Sequence, residues 1–111
     1  TAHVVREVGH PAIRLQFDTG ALTLAAESAE DELAKHAELV CHVHASEPDL
    51  LPLGDGGTDH RTLGRELSRY LADRVVTVEM LATRDEPHLA SIRRALETAL
   101  DAYGGRGESR S

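Results

Sequence analysis

The sequence predicts an α/β fold in which parallel strands are joined by crossover helices. Strand-like and helix-like segments alternate along its 111 residues with a period of about thirty residues, the pattern of a parallel sheet. Each predicted strand has one apolar face and one face that turns polar toward the C-terminal end. This favours a barrel, with helices outside and a polar inward column at the open mouth. An open sheet between two helix layers is the alternative.

Four helices are predicted from apolar spacing and from the residues that begin or end helices. They are a helix that ends at Gly9, helices over residues 28–37 and 60–72, and a helix that starts near Pro87. Asp59 is expected to cap the third of them. The apolar face of the last helix is expected to be buried, and it comprises Leu89, Ile92, Leu96, Ala99, Leu100 and Tyr103.

Three strands lie between these helices. They are AIRLQF (12–17), ELVCHVH (38–44) and RVVTVEM (74–80). Because side chains alternate along a strand, Ile13 should share an apolar face with Leu15 and Phe17. In the second strand, Leu39, Cys41 and Val43 should oppose Val40, His42 and His44. Cys41 should therefore face the helices as an inert core residue.

Each strand ends in a residue that can bind a metal ion, namely Asp18, His44 and Glu79. Neighbouring parallel strands lie about 4.8 Å apart, so three ends on one rim can converge on a single ion. Two carboxylates and one imidazole suit Mn²⁺, Mg²⁺ or Co²⁺. The alternative is that these polar residues simply mark where strands enter loops.

Composition excludes several classes of protein. A net charge of −7 and an aromatic content of 3% argue against nucleic-acid binding. No apolar run is long enough for a membrane span. A single cysteine rules out an internal disulfide and favours a reducing compartment such as the cytoplasm. The first residue is Thr1 rather than methionine, which suggests a piece of a longer product or a processed one.

Four stretches, LQFDTGAL, HVHASEPDL, GDGGTDH and VVTVEM, together resemble the C-terminal part of the xylose-isomerase-like TIM-barrel superfamily. That superfamily contains the sugar phosphate isomerases and epimerases. The resemblance implies that residues 1–103 form strands six to eight of a (β/α)₈ barrel, which is incomplete on its own, and that residues 104–111 form a flexible tail.

The resemblance also implies roles for the strand ends. Asp18, His44 and Glu79 match three of four ligands of a divalent metal, and the fourth is a glutamate of the fifth strand, upstream of Thr1. The metal should bind weakly without it. Glu79 and that glutamate exchange protons with the substrate carbon, which is general acid–base chemistry beside a carbonyl, while the metal stabilises enediolate oxygens.

Some positions depart from the family pattern. Ketose 3-epimerases usually carry a histidine where this chain has Ala21 and an arginine where it has Leu50, so ketose epimerisation is in doubt. Glu47 is either a substrate-binding residue that bonds a sugar hydroxyl or a plain loop carboxylate before Pro48. His42 should lie deeper in the inward column and support the substrate site by hydrogen bonding.

The remaining glycines and histidines receive simpler interpretations. The loop glycines Gly54, Gly56 and Gly57 either approach a phosphate or serve turn chemistry around Asp55, and the turn is favoured. The histidines without ligand geometry are expected at the surface, and these are His3, His10, His36, His60 and His88.

These observations favour the C-terminal part of a divalent-metal-dependent sugar or sugar phosphate isomerase or epimerase. The chain alone should be inactive. The missing barrel units would come from an N-terminal half or from a second copy of the chain. The alternative is a non-catalytic remnant or interaction module that uses its exposed sheet.

Overall fold

Three parallel strands lie side by side in the order in which they occur along the chain. The structure is a computed structural model that describes residues 1–104. The strands are β1 (Leu15–Asp18), β2 (Val40–Ala45) and β3 (Val76–Val78). The sheet order is β1-β2-β3, and both pairings are parallel. The predicted α/β fold is therefore confirmed, and the small parallel sheet is consistent with part of a TIM barrel.

Within residues 1–104, five helices accompany the sheet. They are α1 (Ala2–Val8), α2 (Thr19–Ala25), α3 (Ala29–His36), α4 (His60–Tyr70) and α5 (His88–Tyr103), with 3₁₀ turns at Ala37–Leu39 and Pro48–Leu50. Asp59 caps α4 as predicted, because its side chain accepts from the Thr62 N–H. Gly9 ends α1 in the left-handed conformation that favours glycine. The short helix α2 was not predicted, and the predicted tail beyond Gly104 lies outside the described residues. None of the described helices combines the length and apolar composition that a membrane span requires.

The two faces of the sheet differ in their surroundings. Side chains on the helix-covered face are buried, namely Phe17, Val43 and Ala45. They pack with helix leucines, among them Leu33, Leu63 and Leu67. Side chains of the opposite face are exposed, namely Gln16, His42 and Thr77. Ile13 does not join the buried face as predicted, because β1 begins only at Leu15 and Ile13 precedes it in the exposed connection.

Because of a bulge in β2, the side chain of Cys41 has a different orientation from the predicted one. Leu15 pairs with Val40, but the next residue of β1, Gln16, pairs with His42. One residue of β2 is therefore skipped, and a bulge changes the face to which neighbouring side chains point. As a result Val40 is buried and Cys41 is exposed, so the prediction of a core cysteine was wrong.

Helix α5 buries a different face from the one predicted. Its large apolar side chains point outward, and Leu89 and Leu100 are 79% and 68% exposed. The buried or half-buried face consists mainly of small residues, namely Ser91, Ala95, Thr98 and Ala102. Of the predicted face, Tyr103 is buried.

The contact partners of α5 explain this choice of face. Gly54, in the loop after β2, lies against Thr98, and a Cβ atom added to Gly64 of α4 would overlap the carbonyl of Ala102. At Gly64 the backbones of α4 and α5 are so close that leucine side chains would have no room between the two helices. The helix is also held near its middle, because Arg94 pairs with Asp55.

An open groove of about 820 Å³ lies between β3 and α5. Its walls are mainly apolar and include Val76, Val78, Leu96 and Leu100. The groove follows β3, which pairs with β2 on its other side. We call this surface the β3–α5 groove.

Candidate metal centre

The three predicted ligands converge at the C-terminal ends of the strands. Asp18 pairs directly with His44 in the register of β1 and β2. Glu79 directly follows β3, and its backbone N–H bonds the Ala45 carbonyl at 3.0 Å. One ligand atom from each of Asp18, His44 and Glu79 lies within 4.8 Å of the other two. The structure thus brings the predicted residues together on one rim, and metal binding by them stays a prediction.

Asp18 is held from the protein side of the site. Its Oδ1 accepts hydrogen bonds from the Ala21 N–H and from the Ser46 hydroxyl, both at 2.8 Å. Among the described residues, Oδ2 has no hydrogen-bond donor of its own. One oxygen of this carboxylate is therefore fixed, and the other is left for a further ligand.

His44 and Glu79 face each other across the rim. His44 Nδ1 lies 3.3 Å from Glu79 Oε1 and 3.1 Å from the Gln16 amide nitrogen. The His44 side chain is 21% exposed and that of Glu79 is 45% exposed. The pair is therefore open enough for an exogenous ion or substrate to reach it.

The donor set fits a divalent cation. Carboxylate oxygens are preferred by Mg²⁺ and Mn²⁺, and imidazole extends the range to Co²⁺ and similar ions. Asp18 and Glu79 place two carboxylates beside the His44 imidazole. A cation placed between them would relieve the proximity of the two anions.

A clamp beneath Asp18 fixes the ends of β1 and β2. The Thr19 hydroxyl donates to the Ser46 carbonyl at 2.8 Å and accepts from the Ser46 N–H at 2.8 Å. Both residues are fully buried. Sequence reasoning missed this clamp, because a serine and a threonine after strands carry no individual signal.

His42 touches the site through its ring. It is exposed, and its ring packs edge-on against that of His44 with centroids 4.8 Å apart. The predicted supporting hydrogen bond does not occur among the described contacts. Contact of His42 with a substrate stays a prediction.

Glu47 occupies different surroundings from those predicted. The residue is 1% exposed, and its carboxylate accepts from the Gly54 N–H at 2.9 Å, the Thr58 N–H at 3.0 Å and His60 Nε2 at 2.8 Å. Gly56 is needed here, because a Cβ atom would collide with this carboxylate. The loop therefore folds around Glu47. Its contact with a substrate stays a prediction and would require it to leave these donors.

His60 was wrongly predicted to be a surface residue. It is the first residue of α4 and is buried, with Nε2 on Glu47 and Nδ1 on the Tyr103 hydroxyl. Burial raises the pKa of Tyr103, so its hydroxyl keeps its proton. The buried imidazole is tolerated because both of its nitrogens have partners.

The surroundings of Glu47 make stability depend on pH. Burial by itself raises the pKa of Glu47, but the bonds from Gly54, Thr58 and His60 outweigh it and lower the pKa below the ordinary value of 4.5. A lowered pKa stabilises the fold fully above 4.5, and this contribution is lost as the pH falls through the folded value. We therefore expect the free energy of unfolding to decline more steeply below pH 4.5 in the unaltered chain than in Glu47→Gln.

Urea denaturation at a series of pH values measures this difference. Other carboxylates with lowered pKa values, such as Asp59, are shared by both chains and cancel in the comparison. If the free energy of unfolding declined equally below pH 4.5 in the unaltered chain and in Glu47→Gln, the role of Glu47 would be contradicted.

The fold is consistent with part of a parallel barrel, and the candidate metal centre lies at its rim. Solved structures of several sugar epimerases share this fold. A D-psicose 3-epimerase crystallised in the presence of D-fructose gives a TM-score of 0.77 at 18% identity over 93% of this chain. The 3-keto-D-glucoside 4-epimerase YcjR from E. coli gives 0.74 at 20% identity over 87%. A D-allulose 3-epimerase from Methylomonas sp., in complex with D-allulose, gives 0.74 at 19% identity over 91%.

These structures are xylose-isomerase-like TIM-barrel sugar epimerases, so the predicted resemblance is confirmed at the level of the fold. This chain covers 42%, 38% and 41% of their respective lengths. No protein-family description matches the chain, and no curated protein matches it significantly. The assignment of β1, β2 and β3 to strands six, seven and eight of a barrel stays a prediction.

Proposed function

We propose that this chain is the C-terminal part of a divalent-metal-dependent isomerase or epimerase of sugars or sugar phosphates. The observation that carries the proposal is the convergence of Asp18, His44 and Glu79 on one rim. The fold shared with sugar epimerases supports it. A non-catalytic interaction module would not need three ligand side chains within reach of one ion, so that alternative is less favoured.

Glu79 is the proposed proton-transfer residue. Its side chain is the most exposed of the three, so one carboxylate oxygen can face His44 while the other meets a substrate. A carboxylate in this position can take the proton from a carbon beside a carbonyl and return it. Asp18, fixed by Ala21 and Ser46, would hold the site in place during this transfer.

Asp18, His44 and Glu79 would hold Mn²⁺, Mg²⁺ or Co²⁺. When bound, such an ion stabilises the negative charge that develops on substrate oxygens. The family resemblance implies a fourth ligand, a glutamate on the preceding strand of the barrel. We propose that the three ligands of this chain bind the ion weakly without it.

The substrate class follows from the solved relatives, whose structures contain or were crystallised with D-fructose and D-allulose. We extend a sugar or sugar phosphate substrate to this chain. Leu50, which replaces an arginine usual in ketose 3-epimerases, lies in a 3₁₀ turn and bonds Leu81 through its backbone carbonyl. Its side chain cannot supply the missing guanidinium. A ketose 3-epimerase is therefore a less favoured member of the class, and a cytoplasmic setting is part of the proposal.

The loop glycines do not support a phosphate site. The Gly54 N–H already donates to Glu47, and Gly56 packs against the same carboxylate. A carboxylate beneath these glycines would repel a phosphate. Turn geometry around a buried Glu47 is therefore the better explanation of this loop.

The β3–α5 groove is the proposed contact with the rest of a barrel. It joins the β3 strand to the outward apolar face of α5. A further strand followed by a helix would satisfy both requirements, because the strand can pair with β3 while the helix covers Leu96 and Leu100. We propose that an N-terminal barrel half, or a second copy of this chain, supplies that unit.

We expect the 111-residue chain alone to bind Mn²⁺ weakly and to turn over no sugar, because it holds three ligands and one of two proton-transfer carboxylates. Calorimetric titration with Mn²⁺ and an isomerisation assay with D-fructose measure the two properties. His44→Ala should abolish the heat of binding. His3→Ala, which alters an exposed histidine beside Glu7, should not. Equal binding by the unaltered chain and His44→Ala would contradict the proposed centre.

A further inference from the structure

The two oxygens of the Asp18 carboxylate have different surroundings. Oδ1 accepts hydrogen bonds from the Ala21 N–H and from the Ser46 hydroxyl, both at 2.8 Å. Each oxygen of a carboxylate has about two lone pairs, so these two donors use the accepting capacity of Oδ1. Within residues 1–104, Oδ2 has no donor of its own. Asp18 therefore has one free oxygen rather than two.

The hydrogen bond from Ser46 has a fixed direction. An ionised carboxylate can only accept hydrogen bonds, so the serine hydroxyl is the donor. The same hydroxyl oxygen accepts from the Gly20 N–H at 3.1 Å. In the described part of the chain, Asp18 Oδ1 is the acceptor for the hydroxyl proton. Ser46 therefore links a backbone donor of α2 to the carboxylate of the candidate ligand.

The position of Ser46 is itself fixed in the interior. Its N–H donates to the Thr19 hydroxyl oxygen and its carbonyl accepts from the same hydroxyl, both at 2.8 Å. Ser46 and Thr19 are 1% and 0% exposed. A Cβ atom on Gly20 would lie 2.7 Å from the Ser46 hydroxyl oxygen, so glycine permits this close approach. The hydroxyl cannot turn away from Asp18 without leaving the Gly20 N–H unpaired, which is costly in the interior.

The number of oxygens that Asp18 offers affects which ion the site prefers. Mg²⁺ and Mn²⁺ favour octahedral sites, whereas Ca²⁺ takes roughly six to eight oxygen ligands and often uses both oxygens of a carboxylate. A carboxylate with one free oxygen suits the smaller coordination number and withholds a ligand from Ca²⁺. To use Oδ1 as well, Ca²⁺ would have to displace the Ser46 hydroxyl or the Ala21 N–H.

We propose that Ser46 is a positioning residue that restricts Asp18 to binding through one oxygen and thereby makes the candidate metal centre prefer Mn²⁺ to Ca²⁺. The inference rests on the proposed function, since it requires an ion held by Asp18, His44 and Glu79. The nitrogen ligand of His44 also disfavours Ca²⁺, but it is common to all the chains compared below. A change at Ser46 alone therefore isolates the contribution of this serine.

Ser46→Ala removes the hydroxyl donor and leaves Oδ1 with a free lone pair. Mn²⁺ affinity should fall, because Asp18 loses one of the two bonds that orient it, whereas Ca²⁺ gains an oxygen that it can use. We expect the ratio of the Ca²⁺ to the Mn²⁺ dissociation constant to fall by about tenfold, the usual scale for residues that orient metal ligands. Electron paramagnetic resonance of unbound Mn²⁺, with Ca²⁺ as competitor, measures both constants.

Thr23→Val is the matched control, because it also removes a hydroxyl from this region. That hydroxyl bonds the Thr19 carbonyl at 2.8 Å and the Thr58 hydroxyl at 3.1 Å. Both donors to Asp18 Oδ1 remain in this variant, so the ratio of dissociation constants should equal that of the unaltered chain. Circular dichroism shows whether each chain is folded at the temperature of the titration.

Infrared spectroscopy provides a second measurement, which can be made on the unaltered chain. The two stretching bands of a carboxylate lie closer together when both oxygens bind one ion than when one oxygen binds it. Isotopic labelling of aspartate separates the bands of Asp18 from those of Glu79. Spectra of the chain with Mn²⁺ minus those without metal should show binding through one oxygen. Ser46→Ala with Ca²⁺ should show binding through two.

The results separate the two levels of inference. Failure of the unaltered chain to bind Mn²⁺ would overturn the proposed function, and the role of Ser46 with it. Mn²⁺ binding with the same ion preference in the unaltered chain and in Ser46→Ala would overturn only the role of Ser46, and so would an equal change in Thr23→Val. If Ser46→Ala does not fold, a two-oxygen spectrum of the unaltered chain would still overturn that role, and a one-oxygen spectrum would support it.

Discussion

Replacing Glu79 by glutamine in a complete barrel that contains this chain is expected to lower turnover by about 10²- to 10⁴-fold, the usual contribution of a general base. Glutamine keeps the volume of the side chain and a carbonyl oxygen that can approach a cation, but it cannot accept a proton from carbon. The site is at the rim and the residue is partly exposed, so the fold should survive. Turnover measured against Mn²⁺ concentration, with melting temperature alongside, tests this.

His44→Ala serves as the comparison for that experiment. It removes a ligand and no proton acceptor, so its loss of turnover should be partly restored by excess Mn²⁺, whereas that of Glu79→Gln should not. Near-normal turnover of Glu79→Gln at ordinary metal levels would show that Glu79 is not a base.

Gly64→Ala is expected to destabilise the chain by about 1–3 kcal/mol, the cost of overpacking a filled contact. Within an ordinary helix the same substitution would stabilise by about 0.5–1 kcal/mol. The sign should reverse because an added Cβ atom would collide with the carbonyl of Ala102, a backbone atom that cannot move aside without shifting α5. Urea denaturation followed by circular dichroism measures the change.

Gly57→Ala is the control for this prediction, since apart from Gly57 and its two chain neighbours no described atom lies within 4 Å of the added Cβ. Its free energy of unfolding should stay within about 0.5 kcal/mol of the unaltered chain, as is usual for surface changes. A Gly64→Ala chain as stable as the control would mean that α5 does not pack on α4 at this point.

The sheet and the three ligands were predictable because they follow from short-range patterns. Alternation in a strand places every second residue on one face, and parallel strands bring their C-terminal ends to one edge. Asp18, His44 and Glu79 could therefore be placed on one rim without knowledge of any long-range contact. The capping role of Asp59 was predictable for the same reason.

The errors arose where the outcome depends on partners distant in sequence. The apolar stripe of α5 was visible in the sequence. However, the glycines against which the small residues of α5 pack lie in another helix and in a loop. The orientation of Cys41 was predicted wrongly because no local sequence pattern indicates the bulge in β2. His60 and Tyr103 are 43 positions apart, and a histidine at a helix start resembles a surface residue until its partners are known.

The position of Tyr103 has a consequence for the order in which the chain folds. Since β1, β2 and β3 pair in the order of synthesis, each strand can dock onto its predecessor as the chain emerges from a ribosome. Tyr103 is the last residue of α5, and until it has been synthesised His60 Nδ1 lacks the hydroxyl group that donates to it in the folded interior. The buried surroundings of Glu47 should therefore stay incomplete in nascent chains that end before α5. The loop after β2 would reach its final structure only with the last helix, after the sheet that carries the three candidate ligands.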